Sequence, residues 1–310
     1  MTGICEGRVA IVTGAGRGIG REHALMLASE GAAVVVNDLG AQPDGSGADT
    51  GPANEVVAEI EAMGGRAVVN GADVTDFAEA GAMVQQAIDT YGRLDILVNN
   101  AGILRDRMIF SMSEEDWDAV IAVHLKGHFC PTRHAAAYWR EQAKAGNQMD
   151  ARIINTASGS GLFANAGQAN YAAAKAGIAA FTQVCALELG RLGVTANCLA
   201  PVAMTRLVMP LMGGEDAIAD EVKEALSPRW IAAVATWLAS PAAAGVTGRT
   251  FEVRGDKVSV AEGWHAGPAG ANAGTPTEVG KVIEELLATA RPNADLEGHD
   301  APDRYTVAPR

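Results

Sequence analysis

The chain has 310 residues, 48% of them apolar and 20% charged, enough for one large α/β domain or two small ones with a substantial core. Its 24 basic and 37 acidic side chains leave a net charge of −13, which argues against nucleic acid or an anionic membrane as the main partner, since both select basic surfaces. The four cysteines, at 5, 130, 185 and 198, show no metal-ligand spacing and no paired framework, so no metal is expected and a reducing cytoplasm is. The termini show neither a secretory leader nor a peroxisomal address, and the apolar runs read as too short and interrupted to span a bilayer.

Gly7 to Thr13 (GRVAIVT) predicts a buried central strand. It opens into Gly14-Ala-Gly-Arg17-Gly18-Ile19-Gly20, and a helical pattern runs from Arg21 to Glu30. Glycines at 14, 18 and 20 permit a tight turn and close approach of backbone N–H groups to a pyrophosphate, with the positive end of the helix facing it. The spacing is T-G-x-x-x-G-x-G; the commoner G-x-G-x-x-G would need glycine at Ile19. The next strand, Ala33 to Asn37, ends at Asp38, where a carboxylate accepts hydrogen bonds from an adenosine ribose and repels a 2′-phosphate, favouring NAD over NADP. Arg17 is a counter-signal, and Asp38 has a second reading in which it only opens the following turn.

Residues 39–53 read as a long Gly-, Pro- and Asp-rich loop. A helix from about Asn54 to Met63, a strand from Arg66 to Asn70 and a helix from Phe77 to Tyr91 follow. Between the last two, Asp73-Val74 is a candidate adenine contact. The apolar strand Leu94 to Val98 ends in Asn99-Asn100-Ala101-Gly102, whose small residues let a flat cofactor lie on the backbone. Arg105 and Arg107 face two readings, an anionic substrate or surface pairing with Glu114 or Glu115. Ser113 caps a helix predicted to run from Trp117 to about Lys144, and on it His124 is either structural or functional.

Arg152 to Ala157 predicts a buried strand ending in Ser158, and a helical run then holds Tyr171 and Lys175 on one face. A free tyrosine titrates near ~10, and a neighbouring ammonium pulls that value down, so the expected roles are Tyr171 as general base and Lys175 as its tuner. Ser158 would position the same substrate oxygen. Val194 to Leu199 is a further strand, followed by Pro201 to Thr205 and a methionine-bearing stretch to Met212 that reads as a greasy lid or as core filler. Helices at Ala217–Ala225 and Trp230–Ala239 and a strand from Arg249 to Val253 complete the pattern. Beyond Gly263 come one helix, about Thr277 to Ala290, and a polar tail.

The alternation predicts an α/β fold: a single doubly wound Rossmann-type domain with a central parallel sheet, residues 1–263, and a C-terminal extension, 264–310. TGAGRGIG, Asp38, Asp73-Val74, NNAG, Ser158, Tyr171-x-x-x-Lys175 and Pro201…Thr205 match, in order and spacing, the short-chain dehydrogenase/reductase family, which the chain resembles from about Gly7 to Gly255. NNAGILRDRMIF, SEEDWDAVIAVHLKGHF and GQANYAAAK are similar to its (3R)-hydroxyacyl-CoA dehydrogenase branch, found in peroxisomal multifunctional enzymes and in bacterial acyl-CoA and 17β-hydroxysteroid dehydrogenases.

The resemblance implies NAD-dependent oxidation of a secondary alcohol on an acyl-CoA or steroid, with Lys175 also binding the nicotinamide ribose and a homodimer or homotetramer as the assembly. It leaves open a 17β-hydroxysteroid dehydrogenase, an NADPH-dependent 3-oxoacyl-ACP reductase, which Asp38 disfavours, and a catalytically silent nucleotide-binding scaffold, which intact Ser158, Tyr171 and Lys175 disfavour. The chain departs from the wider family twice. His124 stands where an asparagine usually holds a relay water, a place an imidazole can fill because it both donates and accepts. Val202 follows Pro201 where glycine is usual.

Overall fold

Short β-branched runs form the inner strands here because both of their faces are covered. Val9–Thr13 (β1), Ala33–Asn37 (β2), Arg66–Asn70 (β3), Ile96–Asn99 (β4), Ala151–Thr156 (β5), Val194–Val202 (β6), Thr250–Arg254 (β7) and Lys257–Ala261 (β8) build one sheet in the order β3-β2-β1-β4-β5-β6-β7-β8. The computed structural model describes residues 3–203, 219–272 and 274–305. Pairing is parallel from β3 through β7, with Ile11 opposite Val35 on one side and Leu97 on the other.

Alternate strand residues feed two cores. Ala10, Val12, Val34 and Val36 meet Leu27 of α1 (Gly18–Ser29), Ile60 of α2 (Gly51–Ala62) and Ile231 of α9 (Arg229–Ala239). Val9, Ile11 and Val35 point the other way, onto Met83 of α3 (Phe77–Tyr91), Trp139 of α5 (Gly127–Lys144) and Cys185 of α7 (Ala169–Leu189). Each such side chain, fully buried, contributes roughly 1.5–3 kcal/mol of transfer free energy. The result is the doubly wound parallel sheet expected from the sequence. Strand order reverses between β1 and β4, so a crevice opens beyond their carboxyl ends.

Several elements depart from expectation. The predicted helix from Trp117 to Lys144 is continuous but not uniformly α-helical: α4 (Glu114–Ile121) passes into a π-helical turn at Ala122–Lys126 before α5 begins. A short α6 (Gly159–Phe163) and the edge strand β8 are additional to the sequence-based elements. The helix expected at Ala217–Ala225 is described as α8 (Asp220–Ala225), while Thr205 and the stretch to Met212 lie outside the described residues.

The apolar runs read as too short for a bilayer include one, Ala169–Leu192, that is long and apolar enough by length and composition alone. That helix buries the polar residues Asn170, Lys175 and Thr182 and packs on β5 and β6 as one layer of the domain. The chain forms two compact units, Met1–Val260 and Ala261–Arg310. In the second, Thr275 caps α10 (Pro276–Thr289), its hydroxyl donating to the Glu278 carboxylate at 2.8 Å.

Candidate active site

The site begins where β1 runs out. Gly14 has φ +62°, and a Cβ there would lie 2.8 Å from Ala101 Cα; a Cβ at Gly20 would collide with the Gly14 carbonyl oxygen. These two positions therefore require glycine for the loop to close on itself. Arg17, exposed and extended, precedes the first turn of α1, where Gly18, Ile19 and Gly20 lie. That turn has no side-chain cap and no acidic residue. Its N–H donors are thus unclaimed by side chains, as a diphosphate ligand requires.

Asp38 is fixed beside the loop: Oδ2 accepts from the Gly16 N–H at 2.7 Å and Oδ1 from the Gly40 N–H at 2.6 Å. The carboxylate therefore both opens the next turn, one of its two readings, and braces the glycine loop. Asn100 ties the β4 end to the same loop, its N–H bonding Thr13 Oγ1 at 2.9 Å and its Nδ2 the carbonyls of Thr13 and Gly14 at 3.1 and 3.2 Å. Ala101 N–H shares Thr13 Oγ1 at 3.2 Å. Asp73 is engaged locally, Oδ1 accepting from Thr75 N–H and its own N–H donating to Glu79, each at 2.8 Å. Val74 is buried. Pro201 is half-buried at the end of β6, and Val202 beyond it is exposed.

Ser158, Tyr171, Lys175 and His124 converge. Ser158 follows β5 and caps α6, accepting from the Ser160 N–H at 3.2 Å, and its side chain is hydrogen-bonded to Tyr171. Tyr171 is in the first turn of α7; one turn on, Lys175 Nζ lies 5.5 Å from the centre of the tyrosine ring and donates to the Thr156 carbonyl at 2.6 Å. The His124 ring meets Tyr171 edge-on, centroids 5.1 Å apart. A Cβ at Gly102 would collide with His124 Cε1, so the glycine of NNAG makes room for this ring.

The electrostatics reverse one expectation. Burial pushes the Tyr171 hydroxyl up to about 12, with the Ser158 hydrogen bond opposing and the Asp106 charge reinforcing the rise. Burial likewise pushes Lys175 down to about 7. Lys175 does not pull Tyr171 below its ordinary value here, because burial outweighs it and the ammonium is aimed at the Thr156 carbonyl. His124 is pushed down to about 3, by burial and then by the Lys175 charge, so its ring is neutral. Its Nε2 lies 2.8 Å from the Ile103 carbonyl and 3.2 Å from the Ile103 N–H. The shorter contact assigns the proton to Nε2, which donates to the carbonyl and leaves Nδ1 as a buried acceptor without a partner.

Other polar residues hold this arrangement. Asn99 Nδ2 bonds Thr132 and Asn155, and Asn155 bonds Thr182 of α7, each at 2.9 Å, which fixes the strand ends against the helices. Asn170 Nδ2 bonds the carbonyls of Arg105 and Asp116 at 3.0 Å while its Oδ1 takes the Tyr171 N–H at 2.7 Å. An amide directly before Tyr171, in an otherwise alanine-rich run, is the one sequence signal for it. Arg105 donates to the Asp44 carbonyl at 2.8 Å, pinning a loop that ends at Thr50 because α2 begins three residues earlier than expected, and Arg107 Nε lies 3.9 Å from Asp116. Both arginines make local contacts, Arg105 with the carbonyls of Asp44 and, at 3.4 Å, Glu115, and Arg107 with the Asp116 carboxylate.

The family model for short chain dehydrogenases matches residues 8–212. Over 304 residues the chain is 44% identical to a hydroxyacyl-CoA dehydrogenase, ChsB1, of Mycobacterium tuberculosis, spanning 95% of this chain and 93% of that one. It is 42% identical to the peroxisomal multifunctional enzyme type 2 of Mus musculus, over 84% of this chain and 32% of that protein. The crystal structure of a short chain dehydrogenase from Mycobacterium avium superposes with a TM-score of 0.84 at 53% identity, covering 94% of this chain and 98% of the other.

Proposed function

The chain belongs to the short-chain dehydrogenase family, whose members use nicotinamide cofactors, and within it we propose an NAD-dependent dehydrogenase that interconverts a 3-hydroxyacyl-CoA, with acyl groups derived from steroid side chains among its candidates, and its 3-oxoacyl-CoA. One observation carries the substrate class: 44% identity along 95% of the chain to a protein named for that activity. The choice of NAD rests on Asp38, whose carboxylate is held by Gly16 and Gly40 at the end of β2, where it disfavours a 2′-phosphate.

The residues present suit the cofactor. The uncapped first turn of α1 offers N–H donors to a diphosphate, and Asp38 offers acceptors to a ribose. When bound, the nicotinamide supplies the two-electron exchange at the carbinol carbon. The chain's own residues manage the proton and the geometry. Ser158 donates to the substrate oxygen and fixes it beside Tyr171, whose phenol gives its proton to the carbonyl oxygen in reduction and, once ionised, takes the alcohol proton in oxidation. Lys175, anchored on the Thr156 carbonyl, supplies the nearby charge that favours the phenolate when it forms. His124 offers Nδ1 as the acceptor for a relay water.

The test is steady-state NADH formation with short, long and steroid-side-chain 3-hydroxyacyl-CoAs and free 17β-hydroxysteroids, each with NAD and NADP, beside NADPH oxidation with 3-oxoacyl-ACP. Highest kcat/KM for a CoA thioester with NAD sustains the reading. A better free steroid or ACP substrate replaces it, and silence across the panel overturns it. We further propose that it works as a cytoplasmic homodimer or homotetramer; a monomer by light scattering at working concentration would refute that assembly.

A further inference from the structure

Asp106 has no part in the scheme above, yet its surroundings lead to it. The loop after β4 is stitched to the start of α7 on both sides of this residue: Arg107 N–H donates to the Gly167 carbonyl at 2.8 Å, and Asn170 Nδ2 holds the Arg105 carbonyl. Between these bonds, Asp106 Oδ2 accepts from Gln168 Nε2 at 2.8 Å. Gln168 Oε1 in turn accepts from Ser160 Oγ at 2.7 Å and from Asn165 Nδ2 at 3.0 Å. Ser160 N–H closes the chain on Ser158 Oγ. A continuous relay therefore runs from the Asp106 carboxylate through a buried amide to the serine turn. The other oxygen, Oδ1, is buried without a hydrogen-bond partner, and Asp106 has no ion pair among the described residues. The adjacent Arg105 and Arg107 are directed to Asp44 and Asp116 instead.

We propose that Asp106 is a positioning residue for Tyr171 chemistry: through Gln168 and Ser160 it fixes the turn carrying Ser158, and it places a carboxylate without an ion pair at the start of the helix that bears Tyr171. The inference rests on Tyr171 being the proton-transfer group. The charged and titratable groups around Tyr171 are Lys175 on α7 itself with Cys198 of β6 beside it, His124 from the π turn, His128 from α5 beside Lys175, and Asp106 from the loop. Of these, burial keeps His124, His128 and Cys198 neutral. Among the described residues Asp106 thus opposes the Lys175 ammonium, and its carboxylate favours the protonated phenol.

Two variants separate the two parts of the role. Asp106→Asn keeps an acceptor for Gln168 and removes the charge; Ser160→Ala breaks the relay and keeps the charge. Tyr171 ionisation is read as phenolate absorbance after a rapid pH jump, in the difference between each protein and the same protein carrying Tyr171→Phe. Asp106→Asn should lower that midpoint by about one pH unit and move the alkaline rise of alcohol oxidation down with it. Ser160→Ala should leave the midpoint in place and lower kcat roughly tenfold, with KM for NAD unchanged. An unmoved midpoint in Asp106→Asn, or wild-type kcat in Ser160→Ala, overturns the proposal. The absorbance titration needs no substrate, so it still decides on Asp106 if the wild-type protein turns over nothing in the substrate panel.

Discussion

Tyr171 and Lys175 share a pocket in which burial drives each toward its neutral form, so neither charge is free at rest and their pairing matters only when a proton moves. Tyr171→Phe removes the proton-transfer oxygen and little else. Turnover should fall by at least about 10²-fold while NADH affinity, read by fluorescence titration, stays within a few-fold. Near-normal kcat in this variant would sink the mechanism. Asp38 is a different case because it serves the loop as well as the proposed ribose contact. Asp38→Ala should shift the NADP-to-NAD ratio of kcat/KM by roughly tenfold or more, in line with ~1.5–3 kcal/mol for a hydrogen bond to a charged group. Asp38→Asn separates the charge from the support given to Gly16 and Gly40. An unchanged ratio in both would mean that the ribose lies elsewhere. Tyr171 and Lys175 were legible from helical spacing, and Ser158 from its place at a strand end within an ordered set of family motifs. Asp106, Gln168 and Asn170 were not, since their amides and carboxylate meet partners 54 to 65 residues away across a loop that no local pattern describes.

The π turn at Ala122–Lys126 is the element on which the His124 geometry depends. An extra residue in one turn re-aims a side chain without breaking the helix. Here it sends Nε2 to the Ile103 carbonyl, under Gly102. Gly102→Ala would press a methyl group into the ring at Cε1, and neither the backbone after β4 nor the buried histidine can yield freely. We expect a loss of about 1–3 kcal/mol in unfolding free energy, with a fall in kcat larger than the change in KM for NAD. Denaturant melts and steady-state kinetics check both; a variant matching wild type in each would show that the contact relaxes without consequence. The same turn marks the limit of reading elements from sequence. The strands Ala33–Asn37 and Arg66–Asn70 and the helix Phe77–Tyr91 have the bounds that alternation and periodicity predict. A π turn keeps the helical hydrophobic pattern almost intact, and only the tertiary contacts of His124 and Gly127 distinguish it.

At the scale of the whole molecule, the doubly wound sheet buries histidines as well as aliphatic side chains. His23 on α1 is fully buried with neither ring nitrogen hydrogen-bonded, and burial pushes its pKa from 6.5 down to about 4. His124 and His128, on the opposite layer, are lowered too. A base whose folded-state pKa lies below its unfolded value binds fewer protons when folded. Its contribution to stability is therefore complete above about pH 6.5 and is lost as pH falls toward the folded value. For His23 alone the loss between about pH 6.5 and about pH 4 amounts to ~3 kcal/mol, enough to lower the melting temperature well before most carboxylates titrate. His23→Leu keeps an apolar side chain of related bulk in the α1 layer and has nothing to protonate. Its unfolding free energy should decline less steeply than that of wild type between about pH 7 and about pH 4, whatever its absolute stability. Parallel pH profiles for the two proteins would show that His23 finds solvent or a partner on protonation, and acid sensitivity would then belong to His124 and His128 at the site itself.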